Sequence, residues 1–147
     1  MRRFILIASV AVLPLFAGAT QAQNGVGISN NPAFEAFGGE AGLARSTDDG
    51  VERLVHDDRI KKYFVNANLP HLKKMLTEEF CVLLRGNCTY EGGPMKEVHA
   101  QMGLRNADFN ALAEDFQLAW DDAHVPFIYQ NVLLAKLAPM EHDIVTK

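Results

Sequence analysis

The stretch "YEGGPMKEVHAQMGL", Tyr90 to Leu104, decides how the chain reads. A glycine-rich turn opens it, and Met95, Val98, His99 and Met102 follow at the i, i+3, i+4, i+7 spacing of one helix face. An imidazole therefore stands in the middle of an apolar stripe. Two readings follow. Such a histidine is either a core residue satisfied by a hydrogen bond, or the ligand of a metal carried by an apolar cofactor.

On the N-terminal side, "PHLKKMLTEEFCVLLRG" sets Leu72, Leu76, Phe80 and Leu83 along one stripe and stops near Gly86. Pro70 stands near the first helical position, after the turn region "KYFVNANLP". Further upstream, "FEAFGGEAGLARSTDDGVERLVHDDRI" predicts a short helix, a corner at Gly38 and Gly39, and a second helix carrying Leu43, Val51, Leu54 and Val55.

On the C-terminal side, the His99 helix ends at Gly103. "NADFNALAEDFQLAWDDA" repeats the pattern at Phe109, Leu112, Ala113, Phe116 and Trp120. "VPFIYQNVLLAKLAP" is the last long helix, started near Pro126 and closed near Pro139. No stretch alternates with period two, and there is no internal repeat. The architecture is a single all-α domain over residues 34–147, with about six helices around one core.

The N-terminus reads as an export signal. Arg2 and Arg3 precede the apolar run "FILIASVAVLPLFAGA", broken by Pro14, and small residues lead to a cleavage site after Ala22 or Ala19. The run is short for a membrane span and lacks a basic stop-transfer cluster, and the full twin-arginine pattern is missing. Residues 1–22 are therefore a signal peptide and 23–33 a polar tail, and the mature chain is periplasmic or secreted, with no membrane anchor.

Loss of Arg2 and Arg3 leaves 12 basic against 18 acidic residues, which argues against a nucleic-acid partner. Cys81 and Cys88 meet an oxidising compartment, where a disulfide is the expected fate. They are too few for a thiolate zinc site, and no Cys-x-x-Cys-His motif exists for covalent haem attachment.

Other chemistry finds little support. Ser46 and Thr47 lie beside Asp48 and Asp49, but no Gly-x-Ser-x-Gly elbow, phosphate loop, dinucleotide fingerprint or His-Glu-x-x-His appears. His56, His124 and His142 sit among charged residues near predicted helix ends, and His71 flanks the Leu72 stripe; exposure is expected for all four. Two classes remain: a haem or other apolar-cofactor protein, and a helical interaction module whose histidine only packs.

From about Phe34 to Val145 the chain resembles the truncated haemoglobins of the first group, the short two-over-two globins. "FGGEAGL", "DDRIKKYF", "YEGGPMKEVHAQMGL", "DFNALAEDF" and "LLAKLAPMEHDIV" match in order and spacing. The resemblance implies a non-covalent b-type haem with His99 as the proximal iron ligand. On a helix the carbonyl of Met95, one turn back, is the natural acceptor for the other ring nitrogen. It further implies that Phe64 wedges against the haem beside Tyr63. Leu72, Leu76 and Phe80 lie on the distal helix, and Leu112, Leu134 and Leu137 line the pocket from the last two helices.

The departures from the family pattern bear on chemistry. Val51 stands where the family commonly has a tyrosine that hydrogen-bonds the gas ligand, and Leu72 and Leu76 occupy positions that often carry glutamine. The second corner is Arg85-Gly86 rather than Gly-Gly, which removes one residue that tolerates positive φ. Some relatives ligate iron with a distal-helix histidine, where this chain has Met75. The expectation is a dry, apolar distal pocket around a five-coordinate iron that binds diatomic gases such as oxygen, CO and NO reversibly. A nitric-oxide dioxygenase or peroxidase role, served by an unidentified reductase, ranks second, and an electron-transfer or haem-storage role third.

Overall fold

The computed structural model describes residues 31–147. The expected signal peptide and most of the polar tail lie outside the described residues. Helix α1 spans Pro32–Ala36 and α2 spans Gly39–His56. A 3-10 turn at Lys61–Tyr63 leads to α3, Leu69–Leu83. Then come α4, Met95–His99, α5, Asn106–Asp122, and α6, Phe127–Leu137. A 3-10 turn at Ala138–Met140 and a short α7, Glu141–Ile144, close the described chain. No strand occurs among the described residues.

Three features differ from the sequence-based expectation. Helix α1 takes in Pro32 and Ala33, because proline's fixed φ suits the first turn of a helix. The His99 helix is one regular turn followed by a bend, and Gly103 turns the chain with φ of 61°. Helix α7 has too few residues to leave a readable period.

The expected corner at Gly38 and Gly39 is present, with φ of 79° and 65°. Both residues occupy left-handed backbone that a β-carbon disfavours, so the chain reverses there in two residues. Helix α3 starts on a side-chain cap: the Asn68 carboxamide oxygen accepts the His71 backbone N–H at 3.2 Å. Helix α5 starts on a box in which the Asp108 carboxylate accepts the Arg105 backbone N–H at 3.0 Å.

Helix α2 packs on both α3 and α5, and α5 on α6. The faces that meet carry Leu43, Val51, Leu54, Phe80, Phe116, Trp120 and Leu133, all buried. Four aromatic rings knit this core. Phe80 meets Phe116 edge to face at 5.0 Å and Trp120 at 5.9 Å, and Phe37 meets Trp120 at 5.5 Å. Such contacts add about 0.5–1.5 kcal/mol each beyond area burial. The core thus ties α2, α3 and α5 into a rigid frame, and the short α4 hangs outside it.

Candidate functional site

The corner between α3 and α4 sets where the site opens. Arg85 itself takes the left-handed conformation, with φ of 60°, in place of the glycine missing from the expected pair. Its carbonyl accepts a hydrogen bond from the Asn31 carboxamide at 2.5 Å. Gly86 serves a different need: a β-carbon there would collide with the Cys81 sulfur and the Phe34 ring. Cys81 and Cys88 lie at disulfide-bonding distance, with Cα atoms 6.0 Å apart. From Tyr90 onward the chain then runs along a cavity.

That cavity measures about 410 Å³ and is bounded by α3, α4, α5 and the C-terminal turns. Cofactor sites usually fall in the range of roughly 300–1,000 Å³. His99, Met95, Phe64, Leu72, Leu76, Phe80, Leu112 and Leu137 all line it, as does Met75.

Two expected lining residues do not. Val51 is fully buried in the helix core, because α2 is packed on two sides there. The wall residue on α2 is Leu54, three positions later. Leu134 packs against the core, and Leu137, nearly one turn on, faces the cavity instead.

The cavity is also less uniformly apolar than expected. Glu79 lines it, on the same α3 face as Leu72 and Leu76, and makes no hydrogen bond or ion pair among the described residues. Burial pushes its carboxyl pKa up. Tyr90 lines the cavity as well and donates its hydroxyl to the Gly93 carbonyl at 3.2 Å. Its own pKa is raised by burial first, then by the charges of Glu79 and Glu78. The signal for Glu79 was present in the sequence, since it stands at i+3 from Leu76 and i+7 from Leu72. Met140 and Ile144 were hidden in turns too short for periodicity.

His71, expected at the surface, is exposed and also borders the cavity. His56, His124 and His142 are exposed as expected.

One edge of the cavity is polar and tightly paired. The Tyr63 hydroxyl donates to Asp108 Oδ2 at 3.0 Å, and Arg105 Nε donates to the same oxygen at 3.3 Å. The Arg105 side chain and backbone, followed by Tyr63, hold the Asp108 carboxyl down to about 2. This network fixes the turn before α3 to the start of α5, beside Phe64.

His99 is the residue on which the chemistry turns. Its Nδ1 lies 2.7 Å from the Met95 carbonyl oxygen. A carbonyl can only accept, so Nδ1 carries the proton and donates. In the neutral ring Nε2 then keeps its lone pair, and it makes no hydrogen bond among the described residues. A donor nitrogen, fixed in tautomer, on the wall of an apolar cavity is what a haem iron requires.

The leucine, methionine and phenylalanine lining of the cavity suits the faces of a flat apolar guest of haem's size. The residues present fit the group.

Comparison with known proteins agrees. A family model for bacterial-like globins matches residues 32–146. A group 1 truncated hemoglobin of Tetrahymena thermophila is 35% identical over 82 residues, which cover 56% of this chain and 68% of the relative. One from Mycolicibacterium paratuberculosis is 28% identical over 113 residues, covering 77% of this chain and 83% of the relative. The crystal structure of truncated hemoglobin from Tetrahymena pyriformis superposes with a TM-score of 0.75 at 26% identity, over 78% of this chain and 98% of that one. Cavity, histidine and kinship converge: the chain belongs to the bacterial-like globin family, as a truncated haemoglobin of the first group.

Proposed function

We propose that this protein is an exported b-type haem protein that binds a diatomic gas reversibly. The observation that carries the reading is the bare Nε2 of His99 in an apolar cavity of about 410 Å³. Haem bound there would supply an iron able to hold and release oxygen, CO or NO. His99 ligates that iron, and the Met95 carbonyl fixes the ring and raises its basicity. Phe64, Leu72, Leu76 and Phe80 exclude water and offer the gas no hydrogen-bond donor. Leu112, Leu137 and Met140 add to the apolar wall.

No Cys-x-x-Cys-His motif offers attachment of the cytochrome c kind, and a non-covalent b-type haem is the form proposed. Export rests on Arg2 and Arg3, the apolar run to Ala19 and the small residues up to Ala22. The acidic mature chain takes no nucleic acid. Its partner is the gas; a reductase belongs to the second-ranked enzymatic reading.

The test is expression of the full chain in a bacterium with ample haem supply. A Soret band in periplasmic material lacking residues 1–22 is the expected result, with fast, reversible binding of O2 and CO to the ferrous protein. Colourless protein after haem supply would overturn the haem reading. Coloured protein that stays in the cytoplasm with its N-terminus intact would overturn export alone.

A further inference from the structure

Glu79 has no role in that reading. It is the one carboxyl that α3 presents to the cavity, between Leu76 and Phe80 on a face that also carries His71, Leu72 and Met75, and among the described residues no side chain donates to it or pairs with it. A partly buried carboxylate without a protein partner is free to accept a hydrogen bond or a proton from an occupant of the cavity.

We propose that Glu79 is the proton acceptor of this cavity, which lets the site take small protic acids HX, such as hydrogen cyanide or hydrogen sulfide, in their neutral form. The inference rests on the haem reading above. A neutral acid crosses apolar wall far more readily than its anion. Inside, the H–X bond would break, the proton would form an O–H bond with a Glu79 carboxylate oxygen, and the anion X− would keep the electron pair with which it could bind a metal. No electron is transferred, and atoms and charge balance.

The surroundings favour Glu79 for this task. Burial shifts its carboxyl toward keeping a proton once it has one. Of the other groups that border the cavity, Asp108 is engaged by Arg105 and Tyr63, and His99 donates to Met95. Tyr90 donates to Gly93 and is a phenol with a raised pKa, so it remains protonated. Glu78 on the same helix is paired with Lys74, which also pairs with Glu91. His71 is the competing base, but its side chain is exposed, and a proton given there is shared with bulk water.

The experiment compares cyanide, which is mostly the neutral acid at neutral pH, with azide, which is already an anion. Association with the ferric holoprotein is followed in wild type, Glu79→Gln and His71→Gln. Glu79→Gln should slow cyanide association by roughly a hundredfold, in the usual range for a lost proton-transfer group, while azide association is unslowed. Infrared difference spectra of wild type should show a protonated-carboxyl band appearing on cyanide binding and absent in the variant.

Equal cyanide rates in wild type and Glu79→Gln would overturn the proposal, as would loss of cyanide association in His71→Gln instead. The infrared band needs no variant to fold, and its absence in wild type is equally fatal. Wild type without a Soret band would overturn the haem reading as well, whereas a normal Soret band with equal rates overturns only the role of Glu79.

Discussion

His99 Nδ1 donates to the carbonyl oxygen of Met95 across 2.7 Å, one helical turn back. That bond decides which ring nitrogen is free, and so which atom would meet iron on the proposed reading. His99→Ala should lose haem or hold it loosely while the far-ultraviolet helical signal is largely kept, because the helix core of α2, α3 and α5 does not include α4. Absorption spectra after gel filtration check this. An unchanged proximal-ligand spectrum in the variant would end the assignment.

Leu76 lines the cavity and Val51 does not, so a hydrogen-bond donor should be introduced at Leu76. Leu76→Gln should add a bond to a ligand carrying partial negative charge, in the range of roughly 1.5–3 kcal/mol. At about 1.4 kcal/mol per decade, oxygen release should slow on the order of ten- to a hundredfold, with CO affected less. Val51→Tyr should instead overpack a fully buried position, costing about 1–3 kcal/mol without that gain in affinity. Stopped-flow release rates and thermal melts separate the two outcomes.

Met75 shares the cavity wall with Leu72 and Leu76, so its thioether is close enough to the site to be tested as a sixth ligand. Methionine more often serves as adaptable packing against an apolar guest. The ligand-free ferrous protein should therefore show one broad visible band, unchanged in Met75→Ala. Sharp split bands that vanish in the variant would mean methionine ligation and an electron-transfer role.

The corner between α3 and α4 offers two stability tests. Arg85 sits at φ of 60°, where a non-glycine residue costs about 1–2 kcal/mol, so Arg85→Gly should raise stability by about 1 kcal/mol. Cys81 and Cys88 lie at disulfide-bonding distance with a sequence separation of 7, so a bridge should form there, and by chain entropy its loss in Cys88→Ser should cost roughly 2–3 kcal/mol. Mass spectrometry with alkylation of protein made in an oxidising compartment should find no free thiol until reductant is added. Denaturant melts of the variants give the magnitudes.

Asp108 supplies a pH signature. Its folded-state pKa is depressed from 3.8 to about 2, so its stabilising effect is fully present above about pH 4 and is lost as pH falls toward 2. Asp108→Asn should lower the melting temperature at neutral pH and flatten the acid-side loss of stability in that window. Tyr63→Phe should do the same to a smaller degree, since Arg105 remains. Identical acid profiles in wild type and Asp108→Asn would remove this network from the stability of the cavity edge.

Periodicity and punctuation were enough to read the helices. Leu72, Leu76 and Phe80 recur at helical spacing, Pro70 and Pro126 start helices, and Gly38 with Gly39 turns the chain, because these are local properties of backbone and side chain. His99 was legible for the same reason, as a polar residue out of place on an apolar stripe, and its Met95 partner follows from helix geometry alone. What the tertiary structure decided is which apolar positions face a cavity and which face another helix. Val51 and Leu54 are equally buried and equally periodic, yet only Leu54 reaches the cavity, because α2 is enclosed by α3 and α5 along most of its length. Glu79 shows the converse: its spacing from Leu72 and Leu76 puts it on their stripe, but which way that stripe faces is set only when α3 docks. Packing of Phe80 against Phe116 and Trp120, residues far apart in the chain, turns the helix so that the stripe meets the cavity.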